Sequence, residues 1–148
     1  MTDVRENILA RLLEVVATIP NLRSAYRNNE DIPETDLPAG IVMDGTEETN
    51  DAQNRQSNSS AMVQMTPEVL ILHQNPNFTS DFDVLRRELI KRVLTDTELN
   101  NIVAKSSPRG NGAIRYLGCQ TGHAWLRDLH GAMKAQFLFK YTLRPEDL

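Results

Sequence analysis

The sequence has one cysteine, few aromatic residues and no surplus of positive charge. Cys119, standing alone, can close no internal disulfide, so nothing in the chain requires an oxidising compartment, and the cytoplasm is the default expectation. Lys and Arg number 16 against 20 Asp and Glu, giving a net charge of -4. Phosphate binding depends on an excess of basic side chains, so no sequence-specific nucleic-acid partner is expected, although a local basic patch stays compatible with this balance. Long apolar runs are also lacking. MTDVRENILARLLEVVATIP interrupts its apolar residues with acids, which predicts neither a signal peptide nor a membrane span, and an N-terminus kept in the mature protein. There is no Gly-rich phosphate loop, no HExxH, no paired cysteine spacing and no GxSxG, which weakens an enzymatic role without excluding a site built from distant residues.

What is present fits one domain with one core. A chain of 148 residues buries roughly two thirds of its surface on folding. Val4, Ile8, Leu12, Val15 and Ile19 recur at helical spacing, with Asp3 and Glu6 spaced as a capping box and Pro20 as the stop. Leu22 to Arg27 predicts a short strand, NNEDIPETDLP an exposed acidic connection, and Ala39 to Asp44 a second strand. Ala61 to Gln74 predicts a third, covered on both faces at Val69, Leu70, Ile71 and Leu72, with Pro67 at a bulge or an edge.

A second helix follows, with Ser80 as N-cap and Phe82, Leu85, Leu89 and Val93 on one face; Thr95 and Glu98 are spaced to cap a short extra turn. SSPRGNG breaks regular structure. Ala113 to Gln120 and Ala132 to Leu143 then predict the last strands, the second alternating apolar and polar residues with period two. The order α, β, β, β, α, β, β implies an α+β fold: an antiparallel or mixed sheet with two main helices on one face and a long polar hairpin loop.

That loop is GTEETNDAQNRQSNSS, Gly45 to Ser60, with Ala52 as its one apolar side chain. Structureless loops beyond about 12 to 15 residues are uncommon in compact domains and are usually functional or disordered. Its composition cannot offset an ordering cost of about 1 to 2 kcal/mol per residue, so residues 45–60 are expected to be mobile in the free subunit and ordered on assembly, or else a dispensable surface loop.

Chemistry-bearing residues concentrate in CQTGHAWLRDLHG. Cys119 with His123 could form a nucleophilic pair, and Asp128 and His130 could add ligands, but a small buried cysteine and ordinary turn histidines explain the same residues. His73 is expected to be a polar residue at a strand end. Trp125, flanked by His123 and Arg127, is either a core residue or a contact anchor, since Trp and Arg are enriched at interface centres. Arg109 and Arg115 offer a positive edge for an acidic partner, or a solvated strand face. Glu47, Glu48 and Asp51 are hard oxygen donors without the spacing of a calcium loop, so no metal and no cofactor are expected.

The segment order resembles the small tail terminator and tail completion proteins of long-tailed bacteriophages. The resemblance rests on the N-terminal helix, PAGIVMDG after a Pro-rich acidic loop, the long polar hairpin, RVLTDTELNNIV closing the second helix, and the final FLFKYTL strand. It implies a non-catalytic virion protein, assembled in the host cytoplasm, that forms a homo-oligomeric ring of typically six subunits on the end of the tail tube. There such a protein would stop polymerisation and join the tail to the head connector. Tail tube protein, head-tail connector protein and further copies of itself are the implied partners. Interface residues expected on this basis are Glu47, Glu48, Asp51, Arg55, Arg109, Arg115, His123, Trp125 and Arg127. The alternatives are another head-tail joining adaptor, such as a connector or stopper component, and, more distantly, a small cytosolic enzyme using Cys119 and His123.

Overall fold

The computed structural model describes residues 3–29, 31–49, 60–74, 79–107, 110, 112–123 and 131–145. The first apolar stripe forms α1 (Val4–Ala17), which buries Val4, Ile8, Leu9, Leu12, Val15 and Val16. Asp3 caps it, its carboxylate accepting from the Arg5 amide at 3.1 Å, while Glu6 turns away from the expected capping box and binds Arg27 instead. The helix ends at Thr18, whose hydroxyl donates to the Val15 carbonyl, shortly before Pro20, because the residue preceding a proline is disfavoured in helical geometry.

The remaining elements are β1 (Ser24–Arg27), a single 3-10 turn (Glu34–Asp36), β2 (Ala39–Thr49), β3 (Ala61–His73), α2 (Thr79–Thr95), α3 (Thr97–Ser106), β4 (Ala113–His123) and β5 (Gly131–Leu143). The five strands form one sheet in the order β1-β2-β3-β5-β4, with β1 and β2 parallel and the other neighbours antiparallel. This is the mixed sheet of an α+β fold. The helices share a core with one sheet face through Val42, Val63, Met65, Val69, Ile71, Met133, Phe137 and Tyr141.

The acidic connection crosses the opposite face, where Ile32 and Leu37 close a second, smaller core over Ala39, Ile41, Leu70, Leu72 and Ala132. Val69 to Leu72 is therefore covered on both faces, Val69 and Ile71 by the helices and Leu70 and Leu72 by this connection.

Several expectations are corrected. The passage after α2 is not a short turn but α3, ten residues long, so among the described residues it joins the two expected main helices on the sheet. Its N-cap is Asp96, which accepts from the Leu99 amide at 2.9 Å, whereas Thr95 is the last residue of α2 and its hydroxyl returns to the Lys91 carbonyl. α2 begins at Thr79, so Ser80 lies inside its first turn and is not the cap.

The polar tract is not loop from its first residue: Gly45–Thr49 continue β2, and Asn50 to Ser59 lie outside the described residues. A bulge allows this. Met43 faces Glu68 and Thr46 faces Thr66, so Asp44 and Gly45 together oppose Pro67. Gly45 has φ +69, and a Cβ there would lie 2.1 Å from the Thr66 carbonyl oxygen, a position that only glycine fills. Pro67 thus sits at a bulge, as expected, in a central strand, with the additional residue on β2.

Candidate assembly surface

Beyond Val42, β2 has β3 on one side and no strand on the other among the described residues, so the hairpin projects past β1. Side-chain chemistry on its helix-facing side holds it in place. The Tyr141 hydroxyl, on a fully buried side chain of β5, donates to the Glu47 carboxylate. Burial first, and then the neighbouring Glu47, push the phenol far above its ordinary value, so it remains a donor at any physiological pH. Arg5 of α1 stands 3.7 Å from Glu47 and 3.8 Å from Asp44, with its buried Nε lacking a hydrogen-bond partner among the described residues.

Arg27 completes the cluster. Its guanidinium grips both oxygens of Glu6 at 2.7 and 2.9 Å and donates from Nε to Asp44 at 3.0 Å. These hydrogen bonds hold the Glu6 and Asp44 carboxyls below their ordinary values. Such bidentate, charge-assisted contacts fix direction as well as position. Glu47 and Glu48 are both exposed, Glu47 with Tyr141 as an internal hydrogen-bond partner and Glu48 on the opposite side of the strand.

The other end of the sheet is built from β4, which among the described residues pairs with β5 alone. Arg115 is exposed there, opposite Leu138, and Lys140 faces Ala113 two residues along. At a second bulge, between Tyr116 and Gly118, Leu117 is pushed outward and stands 48% exposed. Leu117, Gly118, Cys119 and Gln120 line an open depression of about 380 Å³ with Glu68, Lys134 and Gln136, where Lys134 Nζ meets Glu68 at 2.9 Å.

The cysteine reading fares poorly in this setting. Burial pushes the Cys119 thiol up, away from the thiolate a nucleophile needs. His123 lies four residues further along the same strand, a backbone separation of about 13 Å at 3.3 Å per residue, so β4 does not bring the two together as neighbours. His73 is buried against Phe82, ring edge to ring face at 5.9 Å, and its pKa is lowered by that burial.

Of the expected interface residues, Glu47, Glu48 and Arg115 are placed as above, and His123 ends β4 with its backbone paired to Gly131. Asp51, Arg55, Arg109, Trp125 and Arg127 lie outside the described residues, as do Asp128 and His130. Sequence reasoning missed Arg5, Arg27 and Tyr141 around the hairpin. It also missed the pair between Arg11 of α1 and Asp96, made at 3.0 and 2.8 Å and reinforced by Glu14 and Glu98, which joins α1 to α3 across a gap of 85 positions. A tyrosine hydroxyl on an otherwise apolar strand face was the available signal for Tyr141; nothing local announces Arg11 and Asp96. Among the described residues no group of three or more His, Cys, Asp or Glu is placed to hold a metal, and no helix is long and apolar enough to cross a membrane.

No family model matches the chain, and no curated protein matches it. Among solved structures, it is similar to a chain in the virion of a native gene transfer agent particle, with 11% identity and a TM-score of 0.48 over 95% of this chain and 96% of that one. It is also similar to a chain from Akkermansia muciniphila, with 8% identity and a TM-score of 0.30 over 73% of this chain and 43% of the other. At these scores neither likeness carries an argument about function.

Proposed function

We propose that this chain is a structural protein of a phage-type virion, and specifically a tail terminator: a ring-forming subunit that caps the tail tube and offers its far side to the head connector. The observation that carries this reading is the open sheet with an extended β2–β3 hairpin fixed to α1 by Arg5 and Arg27 and to β5 by Tyr141, in a segment order that resembles the tail terminator proteins. An anchored projection and two unlike sheet edges suit a protein that acts by contact. Two different patches meeting head to tail around a rotation axis close a ring from one kind of subunit. In this reading the hairpin tip, 50–59, touches the tube or a neighbouring subunit. Deleting those ten residues while keeping Glu47 is then expected to abolish docking without unfolding the sheet.

The nearest second reading is another adaptor of the head-tail joint, which differs in its partners rather than in its chemistry. Electron microscopy of particles made without this gene separates the two. Overlong tails detached from filled heads are expected from a terminator, tails of normal length that fail to join indicate an adaptor, and normal infectious particles refute both.

A further inference from the structure

Acidic and basic side chains are segregated along this chain. Residues 28–50 contain seven Asp or Glu and no Lys or Arg, whereas residues 99–127 contain four Lys or Arg and no Asp or Glu. The described parts of the two stretches lie toward opposite ends of the sheet, because the strand order places β1 and β2 at one end and β4 at the other.

Part of the acidic charge is used internally, Asp44 by Arg27 and Glu47 by Tyr141. Asp31, beside the buried Ile32, and Glu48 on the hairpin remain exposed on this flank, which also carries one exposed cation, Arg23, donating to the Thr35 carbonyl. Arg115 on β4 and Lys105 in the last turn of α3 are exposed on the basic flank. Both stand at the β4 end of the sheet but on opposite faces: the end of α3, with Lys105, backs onto the start of β4 on the helix side, where a Cβ on Gly112 would lie 2.5 Å from the Val103 carbonyl oxygen, whereas Arg115 points the other way between Ile114 and Tyr116, which pack toward the helices.

Opposed flanks of one molecule cannot satisfy each other. Three strand spacings of about 4.8 Å separate Glu48 on β2 from Arg115 on β4, roughly 14 Å, beyond the Debye length of about 8 Å at physiological salt. We infer that a second copy of this chain is the occupant of each flank: the Asp31 and Glu48 side of one subunit docks on the Lys105 and Arg115 side of the next. The inference deepens the ring proposed above and rests on it for closure, but the pairing of flanks follows from the charge distribution. Charges of one sign at one end and the opposite sign at the other also fix polarity, since a head-to-head approach sets like charges together.

Sedimentation velocity on the full chain and two charge-reversed variants, K105E/R115E and D31K/E48K, tests this. The natural chain is expected to assemble at physiological salt and to dissociate as salt rises. Each variant alone is expected to associate about tenfold or more weakly, because reversal sets like charges against each other. Mixing the two variants in equal amounts is expected to restore assembly, since one now carries two acidic flanks and the other two basic ones. All these positions are exposed, and unchanged thermal melts establish that the variants are folded. A natural chain that stays monomeric, a folded variant that assembles as well as the natural chain, or a mixture that fails to recover overturns the pairing. Overlong tails in the gene deletion together with unimpaired assembly of the variants would refute this interface alone, whereas normal tails with restored assembly in the mixture would refute the terminator reading alone.

Discussion

Replacing Gly45 with alanine tests the account of the hairpin most directly. Two costs add. At φ +69 an L-residue is in the left-handed region, which costs about 1 to 2 kcal/mol relative to its ordinary conformations. The new Cβ would also lie 2.1 Å from the Thr66 carbonyl oxygen, a backbone atom that can retreat only by disturbing the Thr46 and Thr66 pairing and the 3.1 Å contact between their hydroxyls. Losing one or two hydrogen bonds worth about 1 kcal/mol each brings the total to about 2 to 4 kcal/mol. For a domain of this size 1 kcal/mol moves Tm by about 2 to 4 °C, so a fall of roughly 4 to 16 °C is expected by calorimetry. Gly110 supplies the control: its φ is +80, but a Cβ there meets nothing within 4 Å, so Gly110→Ala incurs the conformational cost alone. Equal destabilisation by the two substitutions would refute the steric argument. Gly45→Asn refines it, since asparagine tolerates this backbone region yet brings the same Cβ.

Other substitutions test other joints. Asp96→Ala removes the α3 cap and the Arg11 pair together and is expected to cost more than the roughly 1 kcal/mol of a lost cap, while Asp96→Asn keeps the cap and should cost less; equal urea midpoints would contradict this. The carboxyls of Asp44 and Asp96, with an ordinary value of 3.8, and of Glu6, at 4.5, are all held lower by arginine. Groups depressed on folding stabilise fully above their unfolded values, so this contribution is present above pH 4.5 and is lost as pH falls through the lower folded values. Burial likewise keeps His73 below its ordinary 6.5, so its contribution is present above that pH and is lost below it as the unfolded chain takes up the proton first. His73→Phe is expected to flatten thermal melts between pH 7.5 and 5, and an unchanged slope counts against the assignment. Cys119 should react with iodoacetamide more slowly in the folded chain than in the urea-unfolded chain at one pH, and faster reaction would restore the nucleophile reading.

Periodicity made the largest elements legible in advance. The α1 stripe and the alternation of β5 predict their own burial, because an amphipathic helix or strand declares its core face every third, fourth or second residue. The extension of β2 through Gly45–Thr49 was not legible, because nothing apolar marks it. Its strand conformation depends on the ladder with Val63 to Thr66 and on a tyrosine from β5, both far away in sequence. The cap of α3 failed for a related reason. Thr95 and Asp96 are both good N-caps by residue type, and the choice follows the carboxylate that Arg11 also binds. Arg115 was anticipated on either a positive edge or a solvated strand face, but that its strand closes one end of the sheet, with β1 at the other, needed the strand order.

The alternation of Glu47 and Glu48 separates stability from assembly and allows the two to be measured apart. Adjacent strand residues point to opposite faces, so of these two exposed acids Glu47 meets Tyr141 while Glu48 points to the other face. Tyr141→Phe removes the donor without changing the surface. A hydrogen bond to a charged group contributes about 1.5 to 3 kcal/mol, and Arg5, already 3.7 Å from Glu47, can recover part of it by moving closer, so a loss of about 1 to 2 kcal/mol is expected. Below its lowered Tm this variant should associate as the natural chain does. Glu48→Lys should behave in the opposite way, melting within about 0.5 kcal/mol of the natural chain, as exposed substitutions usually do, while associating more weakly. Were Tyr141→Phe to weaken association in the fully folded protein as strongly as Glu48→Lys, the hairpin would be acting through its shape rather than its charge, and electrostatic pairing of the flanks would not suffice to explain assembly.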